Sequence, residues 1–70
     1  MKISARNQFK GIVVRVDEGA VNAIVVIDIG GGNHMTSTIS MAAVRELGIK
    51  PGIEAYAIIK ATSVMIGVDH

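Results

Sequence analysis

The nine residues Val21–Ile29, VNAIVVIDI, constrain the fold of this chain more than any other stretch. In a strand, Val21, Ala23, Val25, Ile27 and Ile29 fall on one face, because side chains alternate with a period of two. The other face carries Asn22, Ile24, Val26 and Asp28, so it is apolar at half of its positions. A strand apolar on both sides needs covering twice, once by its own core and once at an interface. Seventy residues supply one such layer at most, since a domain near this size buries only about 60% of its unfolded surface.

Small domains close that gap with disulfides, a structural metal or self-association. There is no cysteine, which excludes disulfides and thiolate zinc sites. His34 and His70 are the only histidines, so a structural metal is not expected. Half of the residues are hydrophobic and only 19% are charged, more apolar surface than a small barrel needs for itself. A homo-oligomer is therefore expected.

The remaining pattern is also β. Lys10–Val16, KGIVVRV, reads as a first strand and Asp17–Ala20, DEGA, as a turn. After VNAIVVIDI, the glycines of Gly30–Asn33 allow positive φ and mark a hairpin loop. A phosphate-cradling loop would need a following helix with a Lys-Ser/Thr signature, and HMTSTI follows instead, as a third strand. At Ser40 the period changes. Ser40 suits an N-cap, MAAVREL two helical turns lined by Met41, Val44 and Leu47, and Gly48 a C-terminal cap. Pro51-Gly52 turns the chain back. Ile53–Lys60 and Ser63–Val68 then read as strands four and five. The expected fold is all-β, an OB-like five-stranded antiparallel Greek-key barrel with one short helix between strands three and four. It occupies residues 1–70 as a single domain.

Composition narrows the function. No segment has signal-peptide character, and the apolar run Ala23–Ile27 is far below the ~20 residues of a membrane span. A soluble, cytoplasmic protein with no membrane partner is expected. The net charge is +1 with no basic stripe, and Phe9 and Tyr56 are the only aromatics, which disfavours nucleic acid. There is no Cys nucleophile and no spacing that suggests a Ser-His-Asp set, while Asp17 and Glu18 fall in a turn. Neither an enzyme nor a catalytic cofactor is expected.

What remains is a set of small polar and cationic residues beside alanine and glycine. Ser4, Arg6 and Asn7 open the chain, Gly19, Ala20, Val21 and Asn22 form the first turn, and Lys60, Ala61 and Thr62 separate the last two strands. On composition alone Lys60 reads first as a solvated strand end. Together, however, these residues offer what a tetrahedral dianion requires: N–H and O–H donors, cations against desolvation, and small residues that let the main chain approach. Only Asp17 and Glu18, at the edge of the turn, bring a carboxylate near.

Three blocks taken together, SARN with GAVN and IKAT-VMIG, closely resemble the molbindins over residues 2–68. These are small molybdate-binding proteins built from a single Mop (molybdenum-binding, TOBE-like) domain, which recurs in molybdate-responsive regulators and transport ATPases. The resemblance implies an OB-like barrel, hexamers arranged as trimers of dimers, and molybdate or tungstate held between subunits. It implies one site from Ser4 and Arg6 with the amides of Ala5 and Asn7, joined by Lys60, Ala61 and Thr62. A second kind of site would draw on Gly19, Ala20, Val21 and Asn22 with Ile39 and Ser40. No binding position departs from the family pattern. The function so implied is molybdate storage and homeostasis, the alternative being a molybdate-sensing module that engages a regulator or transporter.

Overall fold

A computed structural model describes residues Met1–His70. Four antiparallel strands form one sheet: β1 (Asn7–Glu18), β2 (Asn22–Gly30), β3 (Asn33–Ser40) and β4 (Glu54–Ile59), in the order β3-β2-β1-β4. One helix, α1 (Met41–Leu47), lies between β3 and β4. Three strands joined in sequence with a fourth returning beside the first is the Greek-key order, but the sheet is open, with β3 and β4 as free edges.

Local chemistry accounts for each element. Gly31 and Gly32 both have positive φ, so they turn β2 into β3 in the primed hairpin geometry that matches strand twist. Asp28 Oδ1 accepts from the Gly30 amide at 2.8 Å and steadies that loop. Ser40 caps α1 by accepting from Ala43 N at 3.0 Å, and Gly48 ends the helix at φ 67°. Gly52, at φ 97°, donates to the Val13 carbonyl at 2.7 Å, tying the chain reversal after α1 to β1.

A bulge in β1 shapes the core. The register shifts between Val13 and Arg15, so Val13 opposes Ile27 while Val16 opposes Val25. The extra residue lets Val13 and Val16 both turn inward, although an unbroken period would separate them, and leaves Arg15 in water. Val13, Val25 and Ile27 form one buried cluster, and Ala23, Met41 and Val44 the other. Gly11 stands where β1 pairs with β4 and bends against β2: an added Cβ would lie 2.2 Å from the Asp28 carbonyl oxygen.

Three expectations are corrected. The five-stranded barrel is a four-stranded open sheet in this chain, because Ser63–Val68 does not form the fifth strand. Ala61–Ser63 makes a 3-10 turn instead, and Val64–Val68 has no sheet partner, with Met65 91% and Ile66 88% exposed. Alternating apolar residues signal a strand only where an edge lies within reach, and this turn leads off the end of β4. Leu47 is not on the buried face of α1; it is exposed beside the gap between β3 and β4. Val21 precedes β2 and is exposed, although its carbonyl accepts from Met41 N at 2.8 Å.

The outcome is an underburied chain. Only six residues are buried. The accessible surface is 5473 Å², against about 4,200 Å² for a compact monomer of this mass. The radius of gyration is 13.1 Å, against about 11 Å for a compact chain of this length.

Candidate functional site

The register of β1 and β4 brings two of the sequence segments together. Asn7 opposes Ile59 on the outermost rung of that pair. Ser4, Ala5 and Arg6 therefore emerge beside Lys60, Ala61 and Thr62, and these six residues line one shallow pocket of about 230 Å³. No carboxylate lines it.

Its donors are unspent. The side chains of Ser4, Arg6, Lys60 and Thr62 make no hydrogen bond within the chain. Neither cation has a carboxylate partner; the ion pairs are Lys10–Glu54 at 3.4 Å and Arg15–Asp17 at 2.7 Å. Asp17, by its hydrogen bond and then its charge, pushes the Arg15 guanidinium pKa above its usual value, so that charge is committed elsewhere. Lys2, Arg45 and Lys50 are unpaired as well. What distinguishes Arg6 and Lys60 is convergence on one concavity.

Main-chain donors add to the set. The Ser4, Ala5 and Arg6 amides donate to no backbone carbonyl. The Ala61–Ser63 turn uses carbonyls, with Ser63 N donating to Lys60 O at 2.9 Å and Val64 N to Ala61 O at 3.3 Å. A cluster of two cations, two hydroxyls and free amides without an acceptor at hand suits an anion and repels a cation.

The second group also comes together, with a different character. Asn22 opposes Ser40 and Ala23 opposes Ile39 across β2 and β3, so the Gly19–Asn22 turn lies against the start of α1. Gly19 N donates to Asn22 O at 2.9 Å and Met41 N to Val21 O at 2.8 Å. Gly19 is required here, because an added Cβ would meet the Asn22 oxygen at 2.6 Å. Ile39 packs into both core clusters, so its side chain is structural. The Ser40 oxygen already accepts the capping bond and keeps only its hydroxyl proton to donate. Ala20 is exposed, and the Asn22 side chain makes no internal hydrogen bond.

Sequence reasoning missed Gln8, whose Nε2 donates to the Ala5 carbonyl at 2.6 Å and fastens the N-terminal arm. Nothing in its residue type marks it out. Only its position one residue after SARN, on a strand, places it within reach.

A small antiparallel sheet with a carboxylate-free pocket of convergent donors at a strand end defines a class, a β module receptive to anions. The TOBE domain profile matches residues 3–66, and the chain belongs to that family. The likeness to molbindins read from its motifs holds. Over 69 residues the chain is 70% identical to a "Probable molybdenum-pterin-binding protein" of Haemophilus influenzae, covering 99% of this chain and all of that one. It superposes on MopII from Clostridium pasteurianum with a TM-score of 0.90 at 54% identity, covering 96% of this chain and the whole of the other. It superposes with a TM-score of 0.93 at 46% identity on ModG, described as a cytoplasmic molybdate-binding protein and solved with molybdate bound, over 99% of this chain and 49% of ModG.

Proposed function

We propose that this protein is a non-catalytic molybdate-binding protein of the cytoplasm that stores and buffers the oxyanion, with tungstate as an equivalent ligand. One observation carries the reading: four unspent side-chain donors, two of them cationic, converge on a pocket with no carboxylate. Arg6 and Lys60 supply charge, Ser4 and Thr62 supply hydroxyl donors, and the amides of Ala5 and Ala61 complete the shell, while the Asn7 amide is committed to the rung with Ile59. The Gly19–Asn22 turn with Ile39 and Ser40 forms a second class of site through its main chain, the Asn22 amide and the Ser40 hydroxyl proton.

Relatives carry names that mention either molybdenum-pterin or molybdate. The pocket favours the bare oxyanion. A pterin ring needs an aromatic or broad apolar wall, whereas only the two alanines among these six residues are apolar.

The pocket is shallow and open, so a second subunit is proposed to close it. The chain exposes about 1,300 Å² more than a compact monomer would, ample for an interface that commonly takes about 800 Å² from each partner. A gap of about 310 Å³ between β3 and β4 is lined almost wholly by apolar side chains. Val64–Val68 of a neighbouring copy suits it in length and in the exposed apolar side chains of Val64, Met65, Ile66 and Val68. That insertion would complete a five-stranded Greek-key barrel, and repeated about the symmetry axes it fits a hexamer built as a trimer of dimers.

Calorimetric titration with molybdate tests the site. Arg6→Ala and Lys60→Ala are each expected to weaken one class of binding at least about tenfold, the scale of a lost charge-assisted hydrogen bond, with the fold intact. Unchanged affinity in both variants would refute the assignment.

A further inference from the structure

Asn7 and Gln8 directly follow the arm, and unlike the four pocket donors both spend their side-chain amides inside the chain. Asn7 Nδ2 donates to the Ile59 carbonyl at 3.3 Å, across 52 residues of sequence. That carbonyl immediately precedes Lys60, and the Asn7–Ile59 rung is the last before the two pocket segments diverge. Gln8 Nε2 donates to the Ala5 carbonyl at 2.6 Å, folding the arm back onto β1. It also engages the acceptor oxygen in the middle of the arm, which would repel a dianion if it turned toward one.

We propose that Asn7 and Gln8 are positioning residues that fix the spacing between the arm and the Lys60 turn, and thereby set size discrimination among tetrahedral dianions. The proposal rests on the oxyanion reading of the pocket. Molybdate and sulfate carry the same charge and shape, so a loose set of donors would adapt to either. Discrimination requires donors held at one separation, and a chain terminus is ordinarily too mobile to hold them. These two amides remove that freedom at the middle of the arm and at its junction with β1.

The test is calorimetric titration with molybdate and, separately, sulfate, alongside thermal melts, for the natural chain and for Asn7→Ala, Gln8→Ala, Lys60→Ala and the Asn7→Ala/Lys60→Ala double variant. The Asn7 and Gln8 variants are expected to lose about tenfold in molybdate affinity, the scale of one net hydrogen bond, and less for sulfate, so the ratio narrows. Asn7→Ala is expected to add little once Lys60 is gone, because it acts through the Lys60 turn. Equal loss for both anions, additive losses in the double variant, or no loss would each overturn the proposal. Should Asn7→Ala fail to fold, exposed Gln8 carries the anion comparison alone. A natural chain that binds no molybdate would instead remove the oxyanion reading itself, a result distinct from binding with an unchanged ratio.

Discussion

Gly11 is the residue whose replacement the structure resists most directly. A Cβ there would meet backbone at 2.2 Å and the Ile27 side chain at 2.7 Å, and backbone at a strand crossing does not move aside cheaply. Gly11→Ala is expected to destabilise by about 2–3 kcal/mol, the upper range for overpacking, read from denaturant melts at fixed chain concentration. Ser40 makes a smaller, separable contribution. Its oxygen is the only side-chain acceptor among the free amides of the first turn of α1, so Ser40→Ala is expected to cost about 1 kcal/mol. The same measurement checks it, and a change below a few tenths would mean that water replaces the cap.

At the scale of elements, the unpartnered tail is the decisive feature. Val64, Met65, Ile66 and Val68 present apolar side chains to solvent while β3 and β4 hold an apolar gap open. Removing Val64–His70 is expected to convert an oligomer to monomer in light scattering behind size exclusion, and unchanged mass would exclude the tail from the interface. The presence of the first four strands, the helix with both caps, and the glycine turns were legible in the sequence because each rests on local chemistry: period-two alternation, a capping hydroxyl, positive φ. The bounds of β1 were not, since it runs Asn7–Glu18 rather than Lys10–Val16 and pairs Asp17 and Glu18, expected in a turn, with β2. The bulge at Val13–Arg15 was not, since VVRV reads as a continuous strand until the core demands Val13 and Val16 together. Nor was the fate of Ser63–Val68. Alternation gives a segment's preference for strand, but not which edge will receive it. Of the candidate site, the donor types of segments 4–6 and 60–62 were legible in the residues and their pairing in the family resemblance, but their adjacency within one chain came only from the β1–β4 register.

At the scale of the whole molecule, two facts support one another. The chain buries too little of itself to stand alone comfortably, and the pocket between segments 4–6 and 60–62 is open to solvent. An assembly that covers the apolar surface and closes the pocket would link stability to chain concentration and to ligand. The melting temperature is expected to rise with chain concentration and again with added molybdate; a melt independent of both would separate folding from assembly and binding. The central claim is an oxyanion held between subunits, and native mass spectrometry with molybdate, tungstate and sulfate tests it most directly, since it reads subunit number, ligand number and selectivity in one spectrum. The account predicts a hexamer that gains several molybdate or tungstate ions and retains few sulfates. A monomer that binds none of the three would contradict it.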